Sequence, residues 1–262
     1  MKVLLINGSP HEKGCTYTAL SLIAKELNDA GVDTEILHVG GKPVGGCIGC
    51  GGCAAGNGCV FGGVVNEAIE KAKTADGFVF GSPVHYASAS GNMTSFMDRL
   101  AYAGGRYLAY KPAAICCSAR RAGTTTTLDQ LVKYPQFFHM PLVNGSYWAM
   151  VHGSNTEQVL QDAEGCAVMQ ELGRNMAWLL HCIEAGRAAG FEHPQNPKRP
   201  MTNFIRLHRS KPKPAIYGIQ FRIIDNVFRG SIHVFILYQI LIPPGMQETA
   251  GINRQFLTHG KL

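Results

Sequence analysis

Four cysteines stand within thirteen positions of this 262-residue chain, as Cys47-x2-Cys50-x2-Cys53-x5-Cys59. The stretch that carries them, residues 40–63, holds eleven glycines among 24 residues. Thiolates bind metals, and glycines let a backbone fold tightly round a compact object with amide N–H groups free to point at sulfur. Ligands at this close spacing suit a cuboidal iron–sulfur centre better than the two separated knuckles of a structural zinc site. Zinc stays open as a rival, and so does a reduced loop without metal. A loop this long inside a compact domain is uncommon unless it has a function.

Three other segments carry polar groups suited to a bound anion and a flat ring. Asn7 to Thr18 supplies hydroxyls from Ser9, Thr16 and Thr18 where a helix begins, a ready site for phosphate. It also contains His11, Cys15 and Tyr17. It lacks the glycine–lysine pattern of a P-loop and the Gly-x-Gly-x-x-Gly of a dinucleotide site. A hydroxyl-rich loop of this kind suits a monophosphate such as flavin mononucleotide (FMN); a plain turn with a helix cap is the alternative. Gly81 to Gly91 places Pro83, Val84, His85 and Tyr86 together, a peptide and aromatic surface for a flavin ring or simple loop packing. Cys117 to Thr124 offers Ser118, Arg120 and Arg121 for a phosphate or the ring's pyrimidine edge, or as solvated side chains. Tyr147, Trp148 and His152 are candidates to cover the ring, in one chain or across an interface, and plain packing suits Trp148 at least as well. Asp98-Arg99 reads as structural.

These segments need elements to hold them. Lys2–Ile6 is an almost wholly apolar run, the pattern of a buried parallel strand. Thr16–Ala30 reads as a helix with Leu20, Ile23, Ala24 and Leu27 on one face and Gly31 as its stop. Strands follow at 34–39, 77–80, 113–117 and 142–143. Helices are expected over 64–75, 92–103 and 125–138. A capping box, Ser154-x-x-Glu157, opens a long helix to about Gly190 with Leu160, Ala163, Ala167, Leu172, Met176, Leu179 and Ile183 on one face. Strands alternating with helices predict an α/β doubly wound fold, with ligands beyond the carboxyl ends of the strands.

The phrases Gly8-Ser9-Pro10…Thr16, Gly81-Ser82-Pro83-Val84…Ser90-Gly91-Asn92-Met93 and Phe96-Met97-Asp98-Arg99 resemble the NADPH-dependent FMN reductase superfamily over about residues 1–206. The resemblance implies a flavodoxin-like sandwich with a five-stranded parallel sheet in the order 2-1-3-4-5. It implies bound FMN, with Ser9 and Thr16 near the phosphate and Pro83 to Tyr86 near the ring. Cys15 stands where many relatives carry Asn. The cysteine spacing also resembles the iron–sulfur flavoprotein branch, which implies a [4Fe-4S] cluster on Cys47, Cys50, Cys53 and Cys59. Relatives often carry acidic residues after the last cysteine; Val60-Phe61-Gly62-Gly63 follows here, and the loss of negative charge tends to raise a cluster's potential.

The implied activity is FMN-dependent electron transfer, with NAD(P)H or ferredoxin as partner and a homodimer or homotetramer as the assembly. A cluster-free NAD(P)H-dependent FMN, quinone or nitro reductase is one alternative, and a non-catalytic flavodoxin-like carrier is another. Apolar residues make up 46% of the chain and charged residues 16%, which excludes intrinsic disorder. No apolar run reaches the length of a membrane span, and the N-terminal one is too short for a signal peptide. A cytoplasmic, thiol-reducing setting is expected, and nine cysteines there argue for metal or redox chemistry. The formal charge is +6, of which residues 207–262 supply +5. That basic extension contains Ser210-Lys211-Pro212-Lys213-Pro214 and an apolar run from Ile232 to Ile242. The nearly neutral first 206 residues give no reason to expect a nucleic-acid partner. Cys116, Cys117, Cys166 and Cys182 are expected as small buried hydrophobes.

Overall fold

In the computed structural model the first strand, β1, is Lys2–Asn7, and its residues Val3 to Ile6 are buried. Alternate side chains of a strand point to opposite faces, so a strand apolar at every position must be covered on both. Val3 and Leu5 join one core cluster; Leu4 and Ile6 join the other. The structure describes residues 1–197 and 200. Residues Met1–Gln195 form one compact unit. The domain boundary expected at 206 and the basic extension 207–262 lie outside the described residues.

The other elements are α1 (Cys15–Asp29), β2 (Asp33–His38), α2 (Val64–Thr74), β3 (Gly77–His85), β4 (Ser88–Ala89), α3 (Gly91–Gly104), β5 (Ala113–Ala119), α4 (Thr124–Phe137), β6 (Met150–His152), α5 (Thr156–Gln161) and α6 (Ala163–Ala188). The parallel strands run in the order β2-β1-β3-β5-β6, with β4 antiparallel to β3. This is the expected 2-1-3-4-5 order with a hairpin added. The α1–α6 side packs Leu20, Ile23, Leu27, Met169, Leu172 and Met176 on Val79, Ala114 and Cys116. On the other side Val65, Met93, Phe96, Leu100 and Leu131 meet Phe78, Phe80 and Ile115. Gly173 permits the close approach of α6 to α1, since a Cβ there would lie 2.7 Å from the Ile23 carbonyl oxygen.

Three expectations are corrected. The fifth parallel strand is Met150–His152 and not 142–143. Leu142 makes only an isolated bridge to Ala113, and the chain leaves the sheet through Asn144-Gly145-Ser146, where Glu171 accepts from the Ser146 N–H and hydroxyl. Two apolar residues have no periodicity from which to choose. The long helix is in fact two helices: Asn155, not Ser154, caps α5 by accepting from Gln158 N, and Asp162 starts α6 by accepting from Gly165 N. The break resets the buried face, so Leu160, Ala163 and Ala167 are exposed while Val168, Met169, Leu172 and Met176 are buried. Finally, residues 84–89 form a β-hairpin where a loop was expected, turning at Tyr86 and Ala87 with φ of 49° and 57°.

Candidate functional site at the carboxyl edge of the sheet

Every parallel strand runs the same way, so the segments after β1, β2, β3, β5 and β6 all leave one edge. Three of the sets of candidate residues named from sequence meet there, the cysteines are fastened beside them, and Tyr147 and Trp148 lie apart.

The segment after β1 is built from its own hydrogen bonds. Asn7 is buried; its Oδ1 accepts from Ser9 N at 3.1 Å and its Nδ2 donates to Glu12 O at 2.9 Å. Buried Ser9 accepts from His11 N through Oγ at 3.1 Å. The loop then enters α1 through Gly14, which offers no side chain to cap the helix, and no acidic residue occupies the first turn. The N-terminal N–H groups of this fifteen-residue helix therefore present a positive end. Thr16 stands at that end, buried, its hydroxyl 2.8 Å from that of Ser118 at the end of β5. Thr18 turns inward and donates to Gly14 O, and Tyr17 is half-buried. Cys15 Sγ donates to Gly153 O at 3.5 Å, and burial raises its pKa, so it is a neutral thiol.

The segment after β3 crosses close by. The Gly8 carbonyl accepts from the buried Ser90 hydroxyl at 2.8 Å, and Ser90 N donates to Ser82 Oγ at 3.0 Å. Pro83 and Val84 are half-buried, while His85 and Tyr86 project from the hairpin, Tyr86 fully exposed. Both turn residues sit in the left-handed region, which is strained for any residue with a Cβ. Gly123 lets the segment after β5 come within reach, because a Cβ there would meet the Ala87 Cα at 2.6 Å. Arg120 and Arg121 are exposed, and His152 Nε2 lies 3.1 Å from the Arg121 carbonyl. Tyr147 and Trp148, an edge-to-face pair, instead line a cleft of about 540 Å³ with Ile115, Leu128 and Val132. None of the phosphate- or ring-segment residues lines that cleft.

The cysteine loop follows β2. Close contact fastens it to the phosphate segment: His38 Nε2 lies 2.7 Å from Ser9 O, and a Cβ on Gly40 would fall 2.1 Å from the same oxygen. Three further anchors come from α3 and its extension, at positions 92, 99 and 106, and one from α2, at Asn66. Asn92 donates to Gly40 O and Lys42 O and accepts from Val44 N. Arg99 donates to Cys59 Sγ, Gly45 O and Gly62 O. Arg106 donates to Gly56 O. Asn66 brackets Cys59, accepting from its N–H at 2.8 Å and donating to its carbonyl at 3.0 Å. Cys47 and Cys50 are exposed; Cys53 and Cys59 are half-buried against the core. Among the described residues no three His, Cys, Asp or Glu side chains are gathered for one metal ion. The donor chemistry nevertheless suits a thiophilic centre: four free thiols, no carboxylate between 40 and 63, and glycines at 49, 51, 56, 58, 62 and 63 with positive φ.

Sequence reasoning missed Asn66, Asn92 and Arg106 and took Arg99 as merely structural. The available signal was spacing. Positions seven apart on a helix fall on one side, so polar residues at 92, 99 and 106 marked a stripe that faces the loop. Asp98 fits its structural reading, accepting from the Tyr134 hydroxyl, whose pKa rises with burial. Cys116 and Cys117 are buried; burial pushes Cys117 up to about 12 and Cys116 higher. Cys166 is half-buried and Cys182 is exposed, so Cys182 is not the buried hydrophobe expected. No helix among the described residues is long and apolar enough to cross a membrane.

The fold and edge geometry agree with what the chain resembles. A family model described as NADPH-dependent FMN reductase matches residues 1–155. An iron–sulfur flavoprotein of Methanocaldococcus jannaschii is 29% identical over 193 residues, 70% of this chain and all of that protein. An iron–sulfur flavoprotein of Archaeoglobus fulgidus is 33% identical over 106 residues, 40% of this chain and 48% of that one. Among solved structures, a flavone reductase superposes with a TM-score of 0.54 at 17% identity, covering 70% of this chain and 64% of that one. An NADH:FMN oxidoreductase in its apo form gives 0.50 at 17% identity, covering 69% and 89%. A parallel sheet in this order, a hydroxyl-rich first segment and a matching family model over more than half the chain lead to one assignment: the chain belongs to the NADPH-dependent FMN reductase family of flavin-dependent oxidoreductases, on the side of its iron–sulfur flavoprotein relatives.

Proposed function

We propose that this protein is an FMN-dependent electron-transfer flavoprotein whose four-cysteine loop carries a [4Fe-4S] cluster. The observation that carries the reading is the fastening of the cysteine loop to the phosphate segment, at His38, Gly40 and Ser9, on the sheet edge where the family's flavin belongs. Ser9, Thr16, Ser118 and the open N-terminus of α1 would hold the FMN phosphate, with His11, Cys15, Tyr17 and Thr18 shaping that turn. Pro83, Val84, His85 and Tyr86 would lie along the ring, and Arg120 would face its polar side. Cys47, Cys50, Cys53 and Cys59 would hold the cluster.

FMN, when bound, takes electrons in pairs or singly, so it can connect a pair donor such as NAD(P)H to a one-electron centre. The chain's own work is placement. Buried Ser82 and Ser90 fix the two crossing segments, and the Thr16–Ser118 contact ties the phosphate turn to β5. A small molecule or a ferredoxin would complete the electron path, and a homodimer or homotetramer is the proposed assembly. Residues 1–197 present no helical membrane span, and the proposed setting is cytoplasmic.

The test is an anaerobic preparation in which FMN, iron, sulfide and zinc are quantified together. The expected result is about one FMN with about four iron and four sulfide per chain. Flavin with zinc, or flavin with no metal, overturns the cluster. NADPH-driven turnover unchanged in Cys50→Ser would instead favour a cluster-free reductase.

A further inference from the structure

Arg99 is a buried cation with no carboxylate partner among the described residues. The residue is 7% exposed. Its Nε donates to Cys59 Sγ at 3.2 Å, Nη2 to Gly62 O at 3.0 Å and Nη1 to Gly45 O at 3.4 Å, and the guanidinium lies 5.7 Å from the centre of the Phe61 ring. Among the described residues no carboxylate pairs with it; the adjacent Asp98 accepts from Tyr134 instead. The loop it enters contains no Asp or Glu, and its one charged residue, Lys42, is another cation. A guanidinium cannot shed its proton to escape burial, and an unpaired buried charge is strongly unfavourable. The groups of the loop that can become anions are its thiols.

We infer that Arg99 is the internal counter-cation of the metal–thiolate centre on loop 40–63, positioning Cys59 and raising the centre's reduction potential. The inference rests on the cluster reading above and adds to it the residue that balances the charge. A cubane held by four thiolates is an anion, and each electron added makes it more negative. A buried positive charge beside one sulfur favours the reduced form. The loop lacks acidic residues after Cys59, which acts in the same direction. The guanidinium also grips the loop on both flanks of the cysteine motif, at Gly45 before Cys47 and Gly62 after Cys59. The last ligand is thereby held in place by the protein itself.

The experiment compares anaerobically prepared wild type, Arg99→Met, Arg99→Lys and Lys42→Gln. Iron and sulfide per FMN, the midpoint potential of the cluster and the rate of iron loss to a chelator are measured. FMN content matching wild type shows that the domain has folded. Arg99→Met is expected to lose iron about 10- to 100-fold faster, the usual scale for removing a partner of a metal ligand, and to have a more negative potential. Arg99→Lys keeps the charge but cannot reach three acceptors at once, so iron loss is faster while the potential stays nearer wild type. Lys42→Gln removes an exposed charge that water already screens, and neither value should move.

Arg99→Met with wild-type potential and iron loss overturns the inference and leaves the cluster standing. Wild type without iron and sulfide overturns the cluster and the inference together. If Arg99→Met fails to fold, Arg99→Lys decides: faster iron loss at normal flavin content supports the inference, and wild-type loss overturns it.

Discussion

The phosphate segment and the cysteine loop lie side by side at one edge of the sheet, yet they are held in opposite ways. The phosphate segment is braced chiefly from within, buried Asn7 and Ser9 and the Thr18 hydroxyl bonding to its own backbone, while Ser118 and Ser90 tie it to the neighbouring strands. The cysteine loop has few bonds of its own, chiefly short turns such as Ala54 N to Gly51 O and Gly62 N to Cys59 O. It is gripped from outside by Asn66, Asn92, Arg99 and Arg106. A segment with internal bonds folds with the sheet and is ready for an anion. A glycine-rich loop with external anchors keeps its ends fixed and leaves its shape to the object it encloses. The proposed flavin half of the site should therefore survive loss of the proposed metal half.

The sharpest way to break that contrast is Cys50→Ser. Iron and sulfide should vanish almost completely while FMN content and NADPH-independent flavin absorbance stay at wild-type levels; joint loss of flavin would show that the two halves are one unit. The converse variant is Thr16→Val. It keeps the shape but leaves the buried Ser118 hydroxyl without its partner and removes a proposed donor for the FMN phosphate. FMN affinity, followed by flavin fluorescence on the flavin-free protein, should fall about 10- to 100-fold with iron per chain unchanged. Gly40→Ala attacks the contact between the halves. With a Cβ 2.1 Å from Ser9 O and 2.4 Å from the Ser9 carbonyl carbon, backbone must shift, and overpacking of about 1–3 kcal/mol would weaken flavin and iron retention alike, roughly 5- to 100-fold each.

The smallest effect belongs to neither half. Glu35 on β2 lies 2.6 Å from both Lys2 Nζ and Lys71 Nζ, and hydrogen bonds from these two lysines hold its carboxyl below the usual range. A depressed folded value means the stabilisation is present above the ordinary carboxylate pKa and is lost as pH falls through the folded one. Glu35→Gln should lower Tm by roughly 1–3 °C at pH 7, a difference that disappears in acid, with FMN and iron contents unchanged. A change in either content would mean that β2 transmits strain into the loop.

Much of the fold was legible because its strands are buried on both faces. Lys2–Ile6 and Ala113–Cys117 read as parallel strands from composition alone, and the helix face of α1 follows from apolar spacing; of the face expected in α6 only Leu172 and Met176 are buried, while Leu179 and Ile183 are half-buried. The errors fall where the signal is short or set by distant partners. Met150–His152 is three residues long, and only its pairing with Cys117–Ala119 makes it a strand. The break at Asp162 depends on a carboxylate that also accepts from His152 N, ten residues away. The Tyr86–Ala87 turn lacks the glycine that normally announces such a hairpin.

The candidate site divides along the same line. Chemical identity was local: four cysteines at close spacing, hydroxyls before a helix, and the phrases shared with a flavin family are properties of short stretches. The sequence by itself therefore determined which groups are present, their order and the doubly wound frame that carries them. Tertiary structure decided which groups meet. It brought Ser118 to Thr16 across 102 residues, fastened Gly40 over Ser9, and buried Arg99 against Cys59 with no carboxylate among the described residues to balance it. Composition cannot show such meetings, because a charge's partner is set by packing between elements and not by its neighbours in the chain.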